Sequence, residues 1–133
     1  MKTIEEILRN AKVIAVVGLS PKPGRASASV AQYMASKGYT IIPVNPMYEE
    51  IMGQKSYPGL LDIPKDIKVD IVDVFRKSED TPATAREAVE INASCLWLQL
   101  DIANEESKQI ATAAGLDYVE DKCIKIEHYR YLK

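Results

Sequence analysis

The chain has 133 residues, 47% of them hydrophobic and 27% charged, with a formal net charge of −2. That length makes one domain, residues 1–133, with enough core to fold without metal or disulfide staples. The weak negative balance gives no electrostatic case for nucleic acid, which wants a basic face. Two cysteines and one histidine, scattered, exclude a structural zinc site of about four ligands. The charged N-terminus lacks a signal-peptide core, and no run approaches the ~20 apolar residues of a membrane span. A reduced, cytoplasmic chain is therefore expected.

Thr3-Ile4-Glu5-Glu6 fits a capping box and starts a short helix with Ile4, Ile7, Leu8 and Ala11 on one face. Val13 to Val17 is a continuous apolar run of strand length, the pattern of a strand buried on both faces. A helix follows from Ser27, with Val30, Ala31 and Met34 inward, closed by Lys37-Gly38. Thr40 to Val44 is the second strand, with Pro43 near its end. Asn45 to Asp66 holds three prolines and reads as a long connection with short helical turns near Tyr48 and Leu60. Val69 to Phe75 is the third strand. Thr81 as N-cap and Pro82 behind it open a helix to about Asn92, with Ala85, Ala88 and Val89 inward. Cys95 to Leu100 is the fourth strand. Asn104 caps a helix from Glu105 to Ala114, with Ile110, Ala111 and Ala114 inward, and Gly115 ends it. Asp117 to Glu120 is a short fifth strand, and Cys123 to Lys133 fits either strand alternation or a short helix.

Strands alternating with helices of this length predict an α/β fold. It is a three-layer, Rossmann-like parallel sheet of about five strands, in the order 3-2-1-4-5, with helices on both faces. Ligands of such sheets bind at the carboxyl ends of the strands, where the strand order reverses. Four loops meet there: Gly18 to Ala26, Asn45 onward, Phe75 to Asp80, and Leu100 to Asn104.

The loop Gly18-Leu19-Ser20-Pro21-Lys22-Pro23-Gly24-Arg25 carries the most chemistry. A strand that turns through glycine into a helix N-terminus makes an anion site, because the first amides of the helix are unpaired and its dipole favours negative charge. The spacing Gly18-x5-Gly24 is not the dinucleotide fingerprint. A tight turn with solvated cations fits the loop equally well. Ser20, Lys22, Arg25 and Ser27 add the donors that a phosphate needs, Arg25 as a planar fork and Ser27 as a residue able to cap the helix. At the end of the second strand an NAD site wants a carboxylate for the ribose hydroxyls. Asn45 stands there instead, which favours a ligand with phosphate on its ribose; alone, it could simply start a turn. Phe75-Arg76-Lys77 adds cations at the end of the third strand. Trp97-Leu98-Gln99 belongs to the core or lines the crevice. No partner identifies His128 as catalytic. Cys123, beside Lys122, is a buried small hydrophobe or an activated thiol, and Cys95 is inert inside a strand.

Five blocks in order carry a resemblance over nearly the whole chain. They are Ile14-Ala15-Val16-Val17 with Gly18-Leu19-Ser20-Pro21-Lys22-Pro23; Ile42-Pro43-Val44-Asn45-Pro46; Asp70-Ile71-Val72-Asp73-Val74-Phe75-Arg76; Trp97-Leu98-Gln99-Leu100; and Asp121-Lys122-Cys123 through Glu127-His128. Together they resemble the small stand-alone CoA-binding domain proteins, which are similar to the N-terminal CoA-binding domain of the succinyl-CoA synthetase alpha subunit. The resemblance implies coenzyme A as ligand. Gly18, Leu19 and Ser20 would take the diphosphate with support from Lys22, Arg25 and Ser27; Asn45 and Pro46 would flank the adenosine; Phe75 and Arg76 would close the crevice. The synthetase's phosphorylated histidine lies in a separate ligase domain, and His128 is not its counterpart. The expectation is thus binding of CoA or acyl-CoA by a sensor or carrier with no catalytic residue of its own. Two alternatives stand beside it: an NAD(P)-binding redox sensor of the same fold, and an acyl or thiol transferase using Cys123. A homodimer or a protein partner is left open.

Overall fold

The structure, a computed structural model, describes all residues, 1–133. Its centre is a five-stranded parallel sheet: β1 (Val13–Val17), β2 (Thr40–Val44), β5 (Ile71–Val74), β6 (Cys95–Leu98) and β7 (Asp117–Val119). A small antiparallel hairpin, β3 (Glu50–Ile51) and β4 (Gln54–Lys55), stands apart. The helices are α1 (Ile4–Asn10), α2 (Ala26–Ser36), α3 (Thr81–Glu90), α4 (Glu105–Ala113) and α5 (Ile124–Tyr131). Alternate residues of each strand face opposite cores. Ala15, Val17, Val72, Val74, Leu96 and Leu98 pack toward α3 and α4. Ile14, Val16, Ile71, Cys95 and Trp97 pack toward α1, α2 and α5. The three-layer α/β class is as expected.

The strand order is not. The sheet runs β2-β1-β5-β6-β7, which in the order of its five strands is 2-1-3-4-5 rather than 3-2-1-4-5. The third strand crosses back over β1, pairing Val16 with Asp73 and Val17 with Val74, and leaves β2 at the edge. Pro43 supplies a physical reason. Thr40 N–H and Val44 C=O bond toward β1, through Lys12 and Gly18, whereas Pro43 C=O points outward and accepts from Tyr57 N–H at 3.0 Å. The missing N–H of proline thus falls on the outer edge, where no inner strand could have stood without losing a donor.

Smaller departures are local. The expected helical turn near Tyr48 is instead the β3–β4 hairpin, whose two-residue turn Met52-Gly53 has positive φ at both positions, 57° and 72°; the turn at Leu60 forms as a 3-10 helix, Leu60–Asp62. The third strand is shorter than Val69 to Phe75. Asp80, not Thr81, is the N-cap of α3; the Thr81 hydroxyl bonds Ser78 C=O and the Ser107 hydroxyl of α4. Ala114 is exposed rather than inward. The C-terminal segment is the helix α5, with His128 buried on it. The His128 Nδ1 lies 3.0 Å from the Tyr33 hydroxyl, and its ring packs edge-on against Tyr33 and Tyr39. Burial, with Lys37 nearby, pushes its pKa below the ordinary value.

Two features shape the carboxyl end of the sheet. Gly18 has φ +87°, and the Phe75 carbonyl oxygen occupies the space that a Cβ there would need. Asp73, 1% exposed, accepts a hydrogen bond from Gln99 Nε2 and makes no ion pair. Burial, opposed by that bond, pushes its pKa from an ordinary 3.8 up to about 7.

Gly24 shares φ +87° but has nothing within 4 Å of a built Cβ, so it isolates backbone strain from close approach. Gly24→Ala should cost about 1–2 kcal/mol, and Gly18→Ala about 3 kcal/mol or more, because a carbonyl must also move. Urea unfolding of the two variants would show this; equal losses would contradict the close approach. For Asp73, the folded state holds a proton between pH 4 and 7 that the unfolded chain has released. Its contribution is therefore fully present below about pH 4 and is lost as pH rises through about 7, by on the order of 4 kcal/mol. Asp73→Asn should remove that decline in melts compared at pH 5 and pH 8; parallel profiles for the two proteins would refute it.

Candidate functional site

The 2-1-3-4-5 order puts the point where connections diverge between β1 and β5: the chain leaves β1 toward β2 on one side and leaves β5 toward β6 on the other. The crevice of such a sheet opens there. The loops after β1 and β5 become immediate neighbours, with Phe75 N–H donating to Val17 C=O at 2.8 Å. The Arg76 side chain lies across Gly18, its Cδ 3.3 Å from the built Cβ position. In the expected order β2 and β1 would have separated the third strand from this point. The observed order thus brings Gly18, Phe75 and Arg76 together.

The N-terminus of α2 forms the other wall. Arg25 is its N-cap and gives no side-chain capping bond. Ser27 does not cap the helix either: its hydroxyl oxygen accepts from Ser20 N–H at 2.9 Å and ties the loop to the first helical turn. Ser20 Oγ in turn accepts from Lys22 N–H at 3.1 Å. The first amide of the helix to find a carbonyl is Ser29, on Arg25. The N–H groups of Ala26, Ser27 and Ala28 donate to no group of the protein, although Ser27 and Ala28 are buried. Unpaired amides at the positive end of a helix, with the exposed cations Lys22 and Arg25 beside them, are what an anion needs.

Asn45 holds the second loop in place. Its Nδ2 donates to Leu19 C=O at 3.0 Å and its Oδ1 accepts from Met47 N–H at 2.9 Å, so the side chain couples the Gly18 turn to the segment after β2. Leu19 itself is fully buried and anchors the turn in the core. Pro46 and Arg76 border a cleft of about 190 Å³ against α3, closed by Pro58, Asp80 and Glu87. A wider depression, about 760 Å³, lies at the amino end of the sheet around Asn92, Ser94 and Asp117. Gly115 and the first turn of α1 line it, but Gly115 ends α4 rather than leading a strand into a helix, the Glu6 amide of α1 is already capped by the Thr3 hydroxyl, and volume alone does not make a site.

The residues expected at the site therefore fall into two groups. Gly18, Ser20, Lys22, Arg25, Ser27 and Arg76 gather at one turn, whereas Leu19, Asn45, Pro46 and Phe75 frame it. Trp97 belongs to the core, its Nε1 donating to Lys122 C=O at 2.8 Å. Cys95 is buried and its thiol pKa is raised by burial. Cys123 is half-buried at the N-cap of α5. Asp73 and Gln99, joined under the carboxyl end, were not expected as a pair. A lone acid in an apolar strand signals a buried polar group, but its partner lies 26 residues away and only the sheet register names it. No helix is long and apolar enough to cross a membrane.

A family model for a CoA binding domain matches residues 12–129. The uncharacterized protein YneT of Bacillus subtilis is 45% identical over 125 residues, 94% of this chain and 91% of its own. ADP-forming acetate–CoA ligase I of Archaeoglobus fulgidus is 36% identical over 66 residues, half of this chain and a tenth of the ligase. Among solved structures, a hypothetical protein from Pyrococcus horikoshii superposes with a TM-score of 0.93 at 42% identity, covering 98% of this chain and 90% of that one. A dinucleotide-forming acetyl-coenzyme A synthetase of Ca. Korarchaeum cryptofilum matches over 87% of this chain and 27% of its own, with a TM-score of 0.73 at 25% identity. With the family model spanning most of the chain and the fold matching throughout, the chain belongs to the CoA-binding domain family and is related to the CoA-binding region of ADP-forming CoA ligases.

Proposed function

We propose that the protein binds coenzyme A or an acyl-CoA at the Gly18–Ser27 turn and acts as a sensor or carrier without catalysis of its own. The observation that carries this reading is the uncapped N-terminus of α2, three free amides flanked by Lys22 and Arg25, at the end of a turn whose Gly18 lies against the Arg76 side chain. These groups suit a diphosphate, with Arg25 or Arg76 gripping it as a planar fork. The edge of β2 ends in Asn45, whose amide is spent on Leu19 and Met47. No carboxylate waits there for a free ribose diol, which supports a ribose carrying phosphate, as in CoA, over NAD.

Catalysis finds no support in the side chains. His128 is held by Tyr33 inside the α2–α5 packing, and general acid–base work needs a group within reach of a reacting atom. Cys123 has no base or acid bonded to it. A carrier or sensor needs only selective binding, which the turn and its neighbours can supply.

Titration calorimetry tests the reading. CoA should bind far more tightly than NAD, and Arg25→Ala should weaken CoA by about 1–3 kcal/mol, the loss of one charge-assisted contact. Equal or reversed preference for NAD would refute the CoA reading, and unchanged affinity in the variant would move the phosphate away from Arg25.

A further inference from the structure

The least explained group in the molecule is the Asp73 carboxyl. It sits on β5 directly across from Val16 of β1 and Trp97 of β6, and its side chain is on the face shared with those residues. Trp97 and Asp73 are in register, so Gln99 lies two residues nearer the carboxyl end. The bond from Gln99 therefore draws the carboxyl along the sheet toward the level of Gly18. Gly18 is two residues beyond Val16, a rise of about 7 Å. An anion at the turn and the carboxyl would be about 7–10 Å apart, with the buried Leu19 on the intervening face.

Apart from the Gln99 amide, nothing nearby offsets a charge on Asp73. From β6 the titratable neighbour is Cys95, whose thiol stays neutral because burial raises its pKa. From β1 the neighbour is Val16. On α1 the charged groups are Glu5, Glu6 and Arg9, of which Arg9 pairs with Glu5 and Glu6 bonds Thr3. On α2, Arg25 and Lys37 sit at the two ends, and Tyr33 bonds His128. On α5, Glu127 pairs with Arg130, and Lys125 reaches Ser29. From the loops above, Lys22, Arg76 and Lys77 are exposed, and so are Asp101, Asp121 and Lys122 from the loops after β6 and β7. The influences acting on the Asp73 carboxyl are its burial and the Gln99 bond.

We propose that an anionic ligand seated at the Gly18–Ser27 turn binds together with a proton, which the Asp73 carboxylate takes from solvent. The inference rests on the CoA reading for the identity of the ligand. Two negative charges at this spacing, separated by protein rather than water, repel by an amount on the order of a tenfold change in proton affinity. Ligand binding therefore raises the affinity of Asp73 for its proton, and by linkage protonation raises the affinity for the ligand. The only bond formed is O–H, and the proton comes from buffer. Because the folded carboxyl changes charge near neutrality, the coupling falls where a change in solution pH would alter ligand occupancy.

The test is calorimetry of CoA binding at pH 8 in Hepes and in Tris, whose ionisation heats differ, for the intact protein and for Asp73→Asn. The protons that CoA itself exchanges are common to both proteins. The intact protein should take up an excess of about 0.4 proton per ligand over the variant, the uptake that a tenfold change in proton affinity gives at this pH. Its affinity should also fall relative to the variant, by up to about tenfold between pH 6 and pH 9. Equal proton uptake with CoA still bound would overturn the coupling and leave the CoA reading standing. Absence of CoA binding by the intact protein would overturn both. Should Asp73→Asn fail to fold, infrared spectroscopy of the intact protein gives the same answer. The C=O band of a protonated, buried carboxylic acid should fade as pH rises through neutrality and return when CoA is added. A band indifferent to CoA would overturn the proposal.

Discussion

The Phe75 carbonyl lies where any residue but glycine at position 18 would carry its Cβ. That approach closes β1 against β5 at their carboxyl ends and fixes the turn out of β1 in a left-handed conformation. Everything at the site follows from it. Leu19 is carried down into the core, Ser20 is set to donate to the Ser27 hydroxyl, and α2 begins with its amides free. Arg76 is delivered from the neighbouring strand to the same point. A residue with a side chain at position 18 would push the two loops apart and separate the cations from the helix N-terminus they accompany.

Around this turn the polar groups divide by use. Asn45, Ser20 and Ser27 spend their side chains on the protein, linking the loops after β1 and β2. The amides of Ala26 to Ala28 and the cations at Lys22, Arg25 and Arg76 stay unspent. Below them lies a carboxyl group joined only to a neutral amide, an arrangement that weakens the fold once the group is ionised. A structure that needed stability alone would hold an apolar residue at position 73. The placement of an acid beneath an anion site is a reason to regard its proton as part of binding.

Much of this was legible in the sequence because it rests on local rules. The capping box at Thr3 and Glu6, the Asn104 cap, the apolar runs of β1 and β6, and the Gly38 and Gly115 helix ends all depend on residues a few positions apart. The expected site residues also gathered at one end of the sheet, since that end is set by chain direction. Strand order is not legible in local pattern because it depends on pairing between distant segments, although Pro43 marks β2 as an edge strand. The β3–β4 hairpin was missed because Met52-Gly53 is not a common turn pair. The Asp73–Gln99 bond was missed because strand periodicity says which face a residue occupies, not which side chain it meets.

If CoA binds at the turn from β1 into α2, backbone amide NMR during titration with CoA will register it there. Saturable shifts should concentrate at Gly18, Ser20, Ala26, Ser27 and Ala28, with smaller shifts at Phe75 and Arg76. Shifts clustered instead around Asn92, Ser94 and Asp117 at the amino end of the sheet, or no saturable shifts at all, would contradict it.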